Sequence, residues 1–514
     1  MVRTGGVLCA ALALLLAGCG SSSSTSAVSM STNRGTLIYN PPARLASLDA
    51  PTLTEELGST TSGQQLLALA GSPICGVDFY YIEYYTVGAK NETATASGAL
   101  MVPTGSSPPC TGPRPIVLYA HGTTAAKTYN IANIADSTNP AYSESALVAA
   151  VFAANGYIVV APNYAGYDIS SLPYHPFLNG SQQSKDMTDA LTAARAALPN
   201  TFTPGTTDGG QLFVTGYSEG GYVAMATVKA MTAAGQTVTA SAPMSGPYAL
   251  EAFGDAVFLG SVNIASTEFA PLITTSYQEA YGNLYTEPTD IYEPQFAPSM
   301  FELLPSDTPI DTLYANGTLP ETALFSNSTP NATTYPQLPP QLVALLAIPS
   351  NPVFAIGFGT PNLITNDYRV SYALDAVTNP DGAVMAPPSV ALAATPQNTL
   401  RIALKTNDIR DGSFWAPSGP MLMCGGDQDP TVFFPLDTGT MATYWAGLPA
   451  GLITVLDVNA APTANDPFAP LQLAFQEDIA SILASSGEVG VAESYHTTVA
   501  PFCTVAARSF FSQF

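Results

Sequence analysis

Ser218 sits in Gly216-Tyr217-Ser218-Glu219-Gly220, between a short apolar run at 212–214 and an Ala- and Met-rich stretch at 222–231. Strand, sharp turn and helix would put the serine at the tip of an elbow, where flanking glycines avoid a collision that larger residues would cause. A serine hydroxyl is a poor nucleophile until an imidazole takes its proton. The imidazole in turn needs a carboxylate to hold its tautomer. The chain contains three histidines, His121, His175 and His496. Two aspartates, Asp427 and Asp429, follow Met421-Leu422-Met423-Cys424 and a Gly-Gly pair. The residue types for acyl transfer are present, but far apart in sequence. Neither C-x-x-C nor H-E-x-x-H spacing occurs, so no metal and no cofactor is expected.

Those side chains need a scaffold. Residues 77–87, dense in Tyr and Ile, and 93–102 read as two strands around a turn at 88–92. A buried strand at 115–119 runs straight into Ala120-His121-Gly122-Thr123. Residues 144–155 read as a helix stopped by Gly156, and 157–161 as another buried strand. Met187, Ala190, Leu191, Ala194 and Leu198 recur at a helical period across 184–198. Further strands are expected at 238–244, 420–424 and 452–458, and residues 36–72 read as an irregular extension ending in a short helix near 63–70. Unbroken apolar strands alternating with helices imply an α/β protein, its mostly parallel sheet covered on both faces.

The interval 251–414 is too long for a structureless loop, so it is expected to fold as a cap over the site. It holds Phe253, Phe258, Phe269, Tyr277, Tyr292 and Phe296 among few charges. Apolar walls of that kind suit acyl chains or aromatic acids, although most of these rings would form the cap's own core.

The 514 residues include 41 glycines and 44 prolines, as a loop-rich folded protein would. With 14 Lys and Arg against 38 Asp and Glu, the formal charge is −24. A phosphate-binding face is incompatible with that balance, which excludes nucleic acid as a partner.

Arg3 precedes an apolar run at 7–17, too short to span a bilayer but suited to the core of a signal peptide. It ends in Leu16-Ala17-Gly18-Cys19, which resembles the lipobox of bacterial lipoproteins. That resemblance implies a signal peptide over 1–18, lipidation of Cys19, a serine-rich tether over 19–36, and a membrane-anchored or secreted protein. Pro352 interrupts the most apolar later stretch, 342–358. Cys75, Cys110, Cys424 and Cys503 remain, and read as two disulfides in an oxidising compartment.

The strand order, the His-Gly turn and the Ser218 elbow resemble the α/β-hydrolase superfamily. Segments around 75–103, 119–123, 156–167 and 216–221 are similar to its large secreted bacterial and fungal lipase/esterase-type members. The resemblance implies a hydrolase core over 37–250 and 415–514 with the cap at 251–414 between. The family's triad runs serine, acid, histidine along the chain, and only His496 follows Ser218. The family's acid lies three residues after a glycine and three before a valine, which selects Asp429 and leaves Asp427 as a loop-capping carboxylate. The oxyanion hole would use the backbone N–H groups of Thr123 and Glu219, with the Glu219 side chain turned away into a hydrogen bond. His121 would order the turn at Gly122, and His175 would either line the pocket mouth or simply pack. The acid loop and a histidine loop would emerge side by side, which pairs Cys424 with Cys503 and leaves Cys75 with Cys110. The implied activity is carboxylic-ester hydrolysis through an acyl-enzyme, on a small-molecule or lipid ester. Two alternatives are a serine peptidase of the prolyl-oligopeptidase-like branch and a catalytically silent binding protein.

Overall fold

The computed structural model describes residues 33–514 except 302 and 464. The expected signal peptide, Cys19 and most of the tether lie outside the described residues. The strands in chain order are β1 (Ala43–Leu48), β2 (Gly76–Val87), β3 (Thr93–Thr104), β4 (Gly112–Ala120), β5 (Ile158–Pro162), β6 (Thr206–Tyr217) and β7 (Ala240–Met244). After a long insertion that contains β8 (Phe325–Ser326) and β9 (Phe358–Gly359), β10 (Met421–Gly425) and β11 (Ile453–Asp457) follow.

Nine of these form one sheet in the order β1-β2-β3-β5-β4-β6-β7-β10-β11. From β5 to β11 every neighbouring pair is parallel, and β1, β2 and β3 extend the sheet antiparallel. All residues of β5, β7 and β10 are buried, as strands covered by helices on both faces must be. The parallel strand ends bring Ala120, Tyr217, Met244 and Gly425 to one edge of the sheet, and the candidate residues follow them.

Two expectations need correction. Residues 36–72 do end in the expected short helix, Thr61–Ala70, but what precedes it is not irregular: it holds β1 and the helix Ala50–Gly58. β1 is an edge strand whose residues are all at least partly exposed, so it carries no apolar alternation to read. The expected histidine loop is a helix. Residues Ala469–Phe511 form two helical stretches that meet at Gly487, where φ is 72° and ψ −172°. That conformation is essentially confined to glycine, and His496 lies on the second stretch.

The insertion between β7 and β10 is mainly helical. One guanidinium ties three of its helices: Arg401, on Thr399–Asn407, reaches Asp255 on Leu250–Phe258 at 2.8 Å and Asp375 on Asn366–Thr378 at 2.9 Å. Both expected disulfides are present, Cys75–Cys110 and Cys424–Cys503.

Candidate active site

The elbow forms because its glycines have no room for a Cβ. At Gly216 that atom would lie 2.3 Å from the carbonyl oxygen of Gly220, and at Gly220 it would lie 2.0 Å from that of Ala120. Ser218 itself has φ 61° and ψ −125°, a strained backbone for a residue with a side chain. Its N–H is held by the Met244 carbonyl at 3.0 Å, and the helix Glu219–Ala233 starts immediately after it.

Ser218, His496 and Asp429 come together from three elements. His496 Nε2 is 2.8 Å from Ser218 Oγ, and His496 Nδ1 is 2.6 Å from Asp429 Oδ2. The second carboxylate oxygen accepts from the N–H groups of Thr431 at 2.9 Å and Val432 at 3.1 Å. Asp429 is thereby oriented with its side chain fully buried, while the imidazole keeps slight solvent access. Asp427 does not join them. It is exposed and accepts from Asn459 Nδ2 at 2.7 Å, beside the end of β11.

Tyr217 is a residue the sequence reading did not single out. Its hydroxyl donates to the backbone carbonyl of His496, and its ring lies 4.9 Å from the imidazole. Burial first, and then the charge of Asp429, raise its pKa well above the usual phenol value, so it stays a donor. Glu144 was also missed. One carboxylate oxygen accepts from Tyr119 Oη at 2.8 Å and from the Gly122 N–H at 3.2 Å, and the other accepts from Tyr129 Oη at 2.8 Å. This fixes the turn after β4, which packs against the elbow: a Cβ on Gly122 would lie 3.6 Å from that of Ser218. A glutamate inside a helix carries no sequence sign of partners on the preceding strand and its loop.

His121 orders that same turn, fully buried between the rings of Tyr129 and Tyr164 at 4.3 and 4.1 Å. Burial lowers its pKa. His175 is also buried, and it does more than pack, because its Nε2 lies 2.7 Å from Glu219 Oε1. That is the hydrogen bond into which the Glu219 side chain turns.

Thr123, Ser218 and Glu219 share the floor of a pocket with about 900 Å³ of empty volume, part of it open to solvent. As the first residue of its helix, Glu219 presents an N–H without an intrahelical acceptor. Phe253, Phe258, Phe269, Ile273 and Leu404 of the insertion supply much of the apolar wall. Tyr277, Tyr292 and Phe296 are buried elsewhere in the insertion, as core residues would be. Among the described residues, no group of three His, Cys, Asp or Glu is disposed to hold a metal. Likewise, no helix of the described residues is long and apolar enough to cross a membrane.

A model of the prolyl oligopeptidase family matches residues 143–260. No curated protein matches the chain. Among solved structures, the ligand-bound rice cell wall degrading esterase LipA from Xanthomonas oryzae is 24% identical with a TM-score of 0.65, over 93% of this chain and 98% of that one. A protein from Legionella pneumophila, solved as a candidate hydrolase, is 18% identical with a TM-score of 0.59, over 93% and 97% of the two chains. The fold is that of an α/β-hydrolase.

Proposed function

We propose that this chain, an α/β-hydrolase by fold, cleaves carboxylic esters through an acyl-enzyme on Ser218. In this reading Ser218 Oγ attacks the ester carbonyl as His496 Nε2 takes its proton. Asp429 holds the Nδ1–H and stabilises the imidazolium, without itself accepting the proton. The N–H groups of Thr123 and Glu219 receive the developing oxyanion. His496 returns the proton to the leaving alkoxide, and water then repeats the sequence to release the acid. The observation that carries this reading is the continuous hydrogen-bonded chain Ser218–His496–Asp429 at the floor of an apolar pocket.

The pocket also supports the substrate class. Glu219 is the one charged residue among those lining it, and the wall above is mostly aliphatic and aromatic. Apolar acyl groups fit such a wall better than a peptide backbone, which needs polar partners along its length. The esterase among the structural neighbours supports the same reading. A peptidase reading draws on the prolyl oligopeptidase family match, but that match ends just past the helix Leu250–Phe258 and so omits most of the pocket wall supplied by the insertion, including Phe269, Ile273 and Leu404. Hydrolysis of p-nitrophenyl esters of graded chain length, run beside amide substrates, tests the proposal. Turnover of amides in preference to esters would overturn it.

The proposed site of action is outside the cytoplasm, with the chain tethered through a lipid on Cys19. Two disulfides support an oxidising compartment. Labelled palmitate should enter the full-length chain in a bacterial host, and incorporation that persisted in Cys19→Ala would refute the anchor.

A further inference from the structure

His175 and Glu219 form a second buried pair, beside the Ser218–His496–Asp429 chain but outside it. Neither side chain has solvent exposure. His175 Nε2 lies 2.7 Å from Glu219 Oε1, and Gln183 Nε2 reaches the same oxygen at 2.6 Å. The other ring nitrogen, Nδ1, is 2.9 Å from the carbonyl oxygen of Ala165. A carbonyl oxygen only accepts, so Nδ1 carries hydrogen. A neutral ring would then turn a bare Nε2 toward a carboxylate oxygen, acceptor against acceptor. The contact needs one more proton. Placed on Nε2, that proton makes a charge-assisted hydrogen bond to Oε1, which also accepts from Gln183; the Gln183 Nε2 lies 3.4 Å from His175 Nε2 as well. The residue that fixes the ring is itself held, because the Ala165 N–H donates to Asp186 Oδ2 at 2.6 Å.

Glu219 is also the residue whose N–H is assigned to the oxyanion. A bare carboxylate there would oppose the negative charge that develops on the substrate. The titratable groups around it are His175, His121, Tyr164 and Tyr167, with Asp186 beyond His175 and Glu268 of the insertion beyond Tyr167. Only the two histidines can be positive. His121 touches no carboxylate; its ring nitrogens lie against the carbonyl oxygens of Gly122 at 2.7 Å and Asn163 at 3.1 Å, and burial disfavours its charged form.

We propose that His175 is a positioning residue held as an imidazolium against Glu219, cancelling the carboxylate that adjoins the oxyanion site. The proposal rests on the acyl-enzyme reading above. It assigns His175 a role in turnover rather than in packing alone.

The test uses His175→Phe, which keeps an aromatic ring beside Tyr164 and Tyr167, and the double variant His175→Phe/Glu219→Gln. On p-nitrophenyl butyrate the single variant should lose about 10-fold or more in kcat with KM little changed, since only the charged intermediate is affected. The double variant should recover part of the lost rate, which a packing role would not produce. Independently of activity, ring ¹⁵N NMR of the wild type at pH 7 should show one histidine with hydrogen on both nitrogens, assigned by its absence in His175→Phe. A bare Nε2 on His175, or a double variant no better than the single one, would overturn the proposal. Ester hydrolysis that survived Ser218→Ala would overturn the acyl-enzyme reading and leave the NMR result standing, so the two failures are distinguishable.

Discussion

Cys424 and Cys503 are covalently joined, which ties the strand leading into Asp429 to the helix that bears His496. The bond spans 79 residues of sequence. A closed loop of that size stabilises by roughly 4 kcal/mol in the chain-entropy model, and commonly by less in practice. Its effect on turnover should be sharper, since it limits how far the carboxylate can drift from the imidazole. The double change Cys424→Ala/Cys503→Ala should lower Tm and should reduce kcat more than it raises KM. Steady-state kinetics on one ester, at a temperature where the variant is folded, checks this. An unchanged kcat with a lowered Tm would reduce the bond to a purely structural role.

Ser218→Ala should lower kcat by about 10⁶-fold, as removal of a serine from a Ser-His-Asp unit does when the three act together. The fold should persist, because the elbow is set by Gly216 and Gly220 and by the Ser218 backbone, none of which needs the hydroxyl. His496→Ala should be comparably damaging. Near-normal ester hydrolysis by a pure Ser218→Ala sample, with circular dichroism matching the parent, would remove Ser218 from the mechanism.

The two aspartates should separate cleanly. Asp429→Asn keeps the shape but presents the wrong group to Nδ1, and should cost about 10⁴-fold in kcat by upsetting the imidazole tautomer. Asp427→Asn alters an exposed carboxylate whose partner is Asn459 and should stay within a few-fold of wild type. The reverse ranking would move the acid to Asp427.

The elbow was legible because its constraint is local: a Cβ at Gly216 or Gly220 collides with backbone a few ångströms away, so the glycines mark the turn directly. Parallel strands were legible for a similar reason, since burial on both faces leaves an unbroken apolar run such as Ile158–Pro162. The helix under His496 was equally readable but was passed over. Ala492, Tyr495, Val499, Phe502, Cys503 and Ala506 are buried at helical spacing, and Gly487 marks the break before them. The helix Ala50–Gly58 announced itself too, through Asp49 as its cap and a proline in its first turn. Pairs such as His175 with Glu219, or Glu144 with the Gly122 N–H, had no such sign. Each joins two elements through a single contact, and neither partner's neighbours in sequence carry information about the other.

Glu251 lies in the first turn of the helix that supplies Phe253 and Phe258 to the pocket. It is fully buried, with Oε2 accepting from the Ala393 N–H at 2.9 Å and Oε1 3.7 Å from Arg401. Burial pushes its pKa up to about 8, with Asp381 and Asp255 adding to the rise and Arg401 opposing it. Arg401 is already committed to Asp255 and Asp375, while Arg410 serves Asp381 and Asp408, so neither cation is free to charge Glu251. The folded state therefore keeps a proton that the unfolded chain, near 4.5, gives up. That contribution to stability is complete below the unfolded value and is lost as pH rises through the folded one. Glu251→Gln resembles the protonated side chain and does not titrate. Its Tm relative to wild type should rise between pH 5 and pH 8 and level off beyond. Thermal melts of both proteins in matched buffers at pH 5, 6.5, 8 and 9 give the difference directly. A difference that stayed flat, or fell with pH, would mean that Glu251 is ionised in the folded protein and that Arg401 serves three carboxylates at once.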